Sequence, residues 1–117
     1  MTDAVGRLGA VVVDCHDPAS LAAFWAAVVG GEAVVRDTKW ATVRLPCTGV
    51  VIDFQQVPEP KAGKNRLHLD VTVSDLAAAT TACVALGAEA IGEVVCDEVG
   101  SFQVMVDPEG NEFCLVS

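Results

Sequence analysis

The 117-residue chain predicts an α+β fold of two βαβββ units packed as one domain, and three observations carry that prediction. First, the stretch LGAVVVDCHDPASLAAFWAAVVGGEAVV runs from an apolar segment through Asp17 into an alanine-rich segment, then Gly30 and a second apolar run. LHLDVTVSDLAAATTACVALGAEAI repeats that order through Asp75 and Gly87. Second, Asp17 and Asp75 lie 58 residues apart and Gly30 and Gly87 lie 57 apart, so the halves align as duplicated units. Third, turn-punctuated β sequence follows each repeat: KWATVRL, PCTG and VVIDFQQV in the first half, SFQVMV, DPEGN and EFCLVS in the second.

The elements follow in order. An apolar first strand leads to Asp17, whose carboxylate suits the N-cap of a helix because it accepts hydrogen bonds from orphan N–H groups of the first turn. Pro18 then takes the first helical position, where its missing N–H does no harm. Leu21, Phe24, Trp25 and Val28 recur at the spacing of a buried helical stripe, which places Trp25 in the core. Gly30 and Gly87 stand where each helix should stop. In the closing turn Pro108 presets φ, Asp107 can bond backbone two residues on, and Gly110 supplies a positive φ. PEPKAGK, residues 58–64, has the composition of an exposed connection, giving modules of about 5–57 and 65–117. Neither half-length module buries much apolar surface alone, so the two are expected to form one core.

Composition narrows the partners. With 52% hydrophobic and 20% charged residues, the chain has ample material for a packed core. Its formal charge of −9 repels phosphate backbones and anionic bilayers, so neither nucleic acid nor a membrane is an expected partner. The N-terminus carries Asp3 where an export signal needs positive charge, its apolar run spans only Leu8–Val13, and a cytoplasmic location is expected. Five cysteines without a CxxC pair suit neither a disulfide framework nor a zinc ribbon, and read as reduced thiols.

DPASLAAFW after the first strand, KNRLHLDVTVSDL at the start of the second unit and DPEGNEFCLV at the end resemble the vicinal oxygen chelate (VOC) superfamily, specifically its small glyoxalase-like, bleomycin-resistance-like proteins. The resemblance spans essentially the whole chain. It implies curved sheets with helices on their outer faces, a ligand cavity on the concave faces, and frequently a homodimer. It does not choose among lyases, isomerases, dioxygenases and non-catalytic drug-binding proteins, which share the scaffold.

Strand alternation sorts the candidate site residues. Arg66, His68, Asp70 and Thr72 fall on one face and Leu67, Leu69, Val71 and Val73 on the other, which is expected to lie under a helix. The same parity groups Glu112, Cys114 and Val116 against Phe113 and Leu115, and Val51, Asp53 and Gln55 against Ile52 and Phe54. Trp40 offers an aromatic wall for a flat or cationic ligand, and Arg66 a bidentate partner for an anionic group. The candidate ligand-binding set is therefore Trp40, Asp53, Gln55, Arg66, His68, Asp70, Glu112 and Cys114. His68 and Asp70 are the candidate catalytic pair, suited to acid–base work or to holding a cation.

The resemblance also implies metal-ligand positions on the first and last strand of each unit. They fall here on Ala10, His68, Cys114 and Asp53, the last becoming Ile52 if the alignment slips by one residue. Ala10 has no donor and Cys114 replaces the usual Glu, so no bound metal or other cofactor is expected. Asp53, His68 and Cys114 holding Zn, Ni, Fe or Mn is the alternative. The functional expectation is a binder of a small organic molecule. The alternatives are a VOC enzyme, either metal-dependent or a metal-free acid–base catalyst on His68 and Asp70, and an assembly module with a vestigial cavity.

Overall fold

The computed structural model describes residues 4–117; Asp3, part of the reading of the N-terminus, lies outside them. The chain divides into two compact units, Met1–Pro58 and Glu59–Ser117, and the division falls inside the predicted connection 58–64.

In the first unit β1 (Ala10–Cys15) leads to α1 (Pro18–Val29), then β2 (Glu32–Asp37), β3 (Trp40–Arg44) and β4 (Val51–Gln56). The sheet order is β1-β4-β3-β2, with β1 parallel to β4 and the other pairs antiparallel. Asp17 caps α1 by accepting from the Ser20 N–H at 3.1 Å, and Pro18 begins the helix. Gly30 ends it with φ 76°, a left-handed turn open to glycine at no steric cost, and donates its N–H to the Ala26 carbonyl. Leu21, Ala22, Phe24 and Trp25 from α1 form the core with Ala41, Val43, Ile52 and Phe54 from β3 and β4. Phe24 and Trp25 meet edge to face at 5.4 Å, so Trp25 is a core residue as its helical spacing indicated.

The second unit repeats the order: β5 (Leu69–Thr72), α2 (Leu76–Ala85), β6 (Glu89–Cys96), β7 (Ser101–Val106) and β8 (Glu112–Val116), in sheet order β5-β8-β7-β6. Asp75 caps α2 through the Ala78 N–H at 3.0 Å. The helix stops two residues before Gly87, whose N–H still bonds the Val84 carbonyl. Met105, Phe113 and Leu115 fill the helix-facing side of the sheet, and α2 contributes Cys83. Gln103 is also buried there, and its amide nitrogen bonds the Ile91 and Gly92 carbonyls where the β6–β7 register shifts.

One sequence expectation is corrected. The alternation expected from Arg66 onward does not hold throughout, because the strand begins only at Leu69; Arg66 and Leu67 lie in a bend, and Leu67 is 67% exposed instead of packed under the helix. Alternation therefore holds from His68 onward and fails at Arg66 and Leu67. Leu69 itself is half-buried. Among the described residues, no helix is long and apolar enough to cross a membrane.

Candidate functional site

Each sheet has one face against its helix and one face open, and the predicted site residues separate between the two open faces. In the second unit, β5 and β8 run parallel with Asp70 opposite Cys114. Side chains at matched positions of neighbouring strands share a face, and His68 precedes Asp70 by two residues. His68 Nε2 lies 3.2 Å from Asp70 Oδ1, with both side chains more than half exposed. The Cys114 thiol joins them, so that one nitrogen, one carboxylate oxygen and one sulfur lie within 4.8 Å of one another. Burial pushes the Cys114 thiol pKa up, the Asp70 carboxylate adds to that, and Lys64 opposes it.

Beyond this cluster the open face turns apolar. Val104 stands opposite Cys114 and Phe102 opposite Val116; Ile91 on β6 pairs with Val104, and Val95 pairs with Phe102. All lie on the side away from buried Gln103 and Met105. Ile91 and Val95 are exposed, while Phe102, Val104 and Val116 are half-buried. Sequence reasoning placed Val116 with Cys114 but left the other four out, although the alternation in SFQVMV was the signal that could have found Phe102 and Val104.

Glu112 shares the strand face of Cys114 but its carboxylate is engaged elsewhere. It accepts from Lys61 Nζ at 3.2 Å and from the Asn65 N–H at 3.0 Å, while Asn65 Nδ2 bonds the Glu112 carbonyl. These bonds tie the segment before β5 to the start of β8, and with it the bend that carries Arg66. Burial raises the Glu112 carboxyl pKa, but the Asn65 N–H and Lys61 outweigh it, and the net shift is downward from 4.5. A lowered folded-state pKa gives stability that is complete above the unfolded value and lost as pH falls through the folded one. The native protein is therefore expected to lose urea resistance below about pH 4.5, and Glu112→Gln to flatten that acid limb. Parallel acid limbs in the two proteins would show that Glu112 contributes nothing to it.

In the first unit the register sets Trp40 opposite Gln55 and Thr42 opposite Asp53. The Asp53 carboxylate accepts from the Thr42 hydroxyl, and Gln55 Nε2 donates to Asp14 Oδ1 at 3.1 Å. The Arg36 guanidinium lies 5.3 Å from the centre of the Trp40 ring and pairs with Asp37, so a cation already stacks on that aromatic face. Trp40, Asp53 and Gln55 thus share one face of the first unit, and His68, Asp70 and Cys114 one face of the second. An open depression of about 370 Å³ lies elsewhere, lined among the described residues by His16, Gln56, Val57 and Pro58, none of them a predicted site residue. Its polar groups include a Gln56 amide already bonded to the His16 carbonyl, and we regard the chemically richer open sheet face as the candidate site.

A duplicated βαβββ unit whose sheet carries its helix on one side and functional groups on the other defines the glyoxalase/bleomycin-resistance class of proteins. The chain belongs to the glyoxalase-like domain family, which matches residues 10–116, and so to the VOC superfamily. Similar solved structures include a glyoxalase/bleomycin resistance protein/dioxygenase family enzyme from Burkholderia phytofirmans PsJN, at TM-score 0.79 and 20% identity, covering 95% of this chain and 98% of that one. A glyoxalase-related enzyme from Fulvimarina pelagi has TM-score 0.75 and 15% identity over 96% and 88% of the respective chains. A glyoxalase/bleomycin resistance protein from Albidiferax ferrireducens T118 has TM-score 0.70 and 18% identity over 93% and 96%. No curated protein matches the chain.

The family's metal positions can be tested against these residues. Ala10 supplies no donor atom, whereas the Asp53 carboxylate, which accepts from Thr42 at Oδ1, keeps its other oxygen. A site drawing one ligand from each of the four positions does not fit this chain.

Proposed function

We propose that this protein binds a small organic molecule that is apolar along most of its length and carries a cationic or hydrogen-bonding end. The observation that supports this reading is the composition of the second unit's open face, where Phe102, Val104, Val116, Ile91 and Val95 lead to the His68–Asp70 pair at one end. Apolar contact provides most of the affinity, and the polar end fixes orientation. The net charge of −9 favours a cationic end over an anionic one. All five cysteines are free, which suits a reducing cytoplasm.

The test uses naphthylmethylamine and its neutral alcohol as probes. Asp70→Asn is expected to weaken the amine about fivefold, the worth of a ~1 kcal/mol exposed ion pair, and to leave the alcohol unchanged. Val104→Lys should abolish both. Amine and alcohol binding that survives Val104→Lys would overturn the reading. A second reading, a metal-free acid–base catalyst, is favoured by the 3.2 Å contact between His68 and Asp70, which orients the imidazole over the same face.

A further inference from the structure

We propose that Gln103 is a specificity-determining positioning residue of the second unit's open face: it holds a bulge in β6 that keeps the Glu93 carboxylate out of the apolar surface. This role rests on the ligand-binding reading and deepens it, because it accounts for why the face receives an apolar body. Gln103 itself lies on the helix-facing side, 4% exposed, and acts through β6.

In an uninterrupted β6, the segment IGEVV would set Ile91, Glu93 and Val95 in a row on one face. A carboxylate would then stand between the two apolar side chains. The observed register avoids this. Ile91 pairs with Val104 and Val95 with Phe102, so Gly92, Glu93 and Val94 together stand opposite the single residue Gln103. The bulge takes up the extra length, and the pairs that carry Ile91 and Val95 become neighbours on the open face.

Such a bulge takes backbone groups of β6 out of the ladder, and a part-buried carbonyl left without a donor is costly. Gln103 supplies the donor. Its Nε2 bonds the Ile91 carbonyl at 3.2 Å and the Gly92 carbonyl at 3.2 Å, as well as the Val104 carbonyl at 3.0 Å on its own strand. Gly92 supplies the change of direction with φ 70°, a conformation that glycine reaches freely. A Cβ at Gly92 would meet nothing within 4 Å, so an alanine there acts on backbone conformation and not on packing. Beyond the bulge the register is pinned by the next turn, where Asp97 Oδ1 accepts from the Val99 N–H at 2.8 Å and the Gly100 N–H at 3.0 Å. Closing the ladder therefore moves the half of β6 before the bulge, and brings Glu93 opposite Val104.

The probes are the same naphthylmethylamine and its neutral alcohol, while cross-strand proton contacts seen by nuclear magnetic resonance report the register without any ligand. The native protein is expected to show Ile91–Val104 and Val95–Phe102 contacts. In Gln103→Leu, and separately in Gly92→Ala, a Glu93–Val104 contact should replace the Ile91–Val104 one. Alcohol affinity should then fall about tenfold, the worth of one buried aliphatic side chain. The amine should lose less, because the incoming carboxylate attracts it. Adding Glu93→Val to Gln103→Leu should restore most of the alcohol affinity, which repair of a merely loosened sheet would not do, and Glu93→Val alone should change neither affinity. Deleting Gly92 and Glu93 together closes the ladder with Ile91 still opposite Val104 and Val95 still opposite Phe102, and in that shortened chain Gln103→Leu should no longer weaken the alcohol. Should Gln103→Leu unfold the protein, Gly92→Ala carries the same test. Unchanged contacts in the folded single variants, or a loss of alcohol affinity that Glu93→Val does not reverse, would overturn the proposal. A native protein that binds neither probe would overturn the ligand-binding reading alone, since the contacts still decide what Gln103 holds.

Discussion

Alanine at Phe113 is expected to cost this protein about 3 to 5 kcal/mol, the range for emptying a buried phenylalanine site. Phe113 is 1% exposed in the middle of β8, with Leu69 opposite it on one side and Met105 on the other. The covering helix cannot collapse into the space. Its sequence LAAATTACVA is built of short side chains, of which Cys83 alone among its described residues is buried. The void therefore persists and the neighbouring groups lose their contacts outright. Against a typical total stability of ~5 to 15 kcal/mol, such a loss moves the urea midpoint far while leaving the slope of unfolding nearly unchanged. Leu69→Ala, at a half-buried position on the same face, should cost clearly less. Cys114→Ser, one residue from Phe113 but on the open face, should barely shift the midpoint. A cost below about 1 kcal/mol for Phe113→Ala would mean that the buried and open faces of β8 have been exchanged.

The parts of this fold legible in the sequence are those whose physics is local. Asp17 and Asp75 cap their helices because a carboxylate at that position finds N–H groups three residues away, whatever the rest of the chain does. Alternation assigned the faces of β4 and β8 because Ile52, Phe54, Phe113 and Leu115 alternate with polar or smaller residues inside uninterrupted strands. The start of β5 was not legible in this way. The segment before it is held by Asn65 and Lys61 bonding Glu112, contacts across 47 and 51 residues of sequence, and local alternation carries no trace of them. The same long-range link withdraws Glu112 from the open face. Meeting Cys114 with Asp70 likewise needs the β5–β8 register, which pairs strands 44 residues apart. His68 and Asp70 were recognisable as neighbours from their spacing; Cys114 was joined to His68 only through the metal positions that the resemblance implies, and its place opposite Asp70 was not foreseen.

Removing the Asp107 carboxylate should be the costliest change outside the apolar core, about 2 to 4 kcal/mol for Asp107→Ala, because it takes the acceptor away from several part-buried N–H donors at once. Asp107 is 3% exposed. Its Oδ1 accepts from the Glu109 N–H at 2.9 Å and the Asn111 N–H at 3.0 Å, and both carboxylate oxygens accept from Asn111 Nδ2. Its backbone closes the same turn, with the N–H bonded to the Asn111 carbonyl and the carbonyl accepting from the Gly110 N–H. Gly110 sits at φ 85°, a conformation glycine adopts freely, so the chain can reverse within DPEGN while the carboxylate gathers its N–H groups. Pro108 in turn packs closely enough on Gly87 that a side chain there would press on its ring, tying the turn to the exit of α2. Loss of the carboxylate therefore loosens the β7–β8 connection, the strand pair that carries Val104 and Cys114. Asp107→Asn, which keeps one acceptor oxygen, should cost roughly half as much as the alanine change. Urea unfolding measures the cost, and amide hydrogen exchange along β7 and β8 locates it. Protection of the Phe102–Val106 and Glu112–Val116 amides left at parent levels in Asp107→Ala would show that the turn does not set the register of the site-bearing strand.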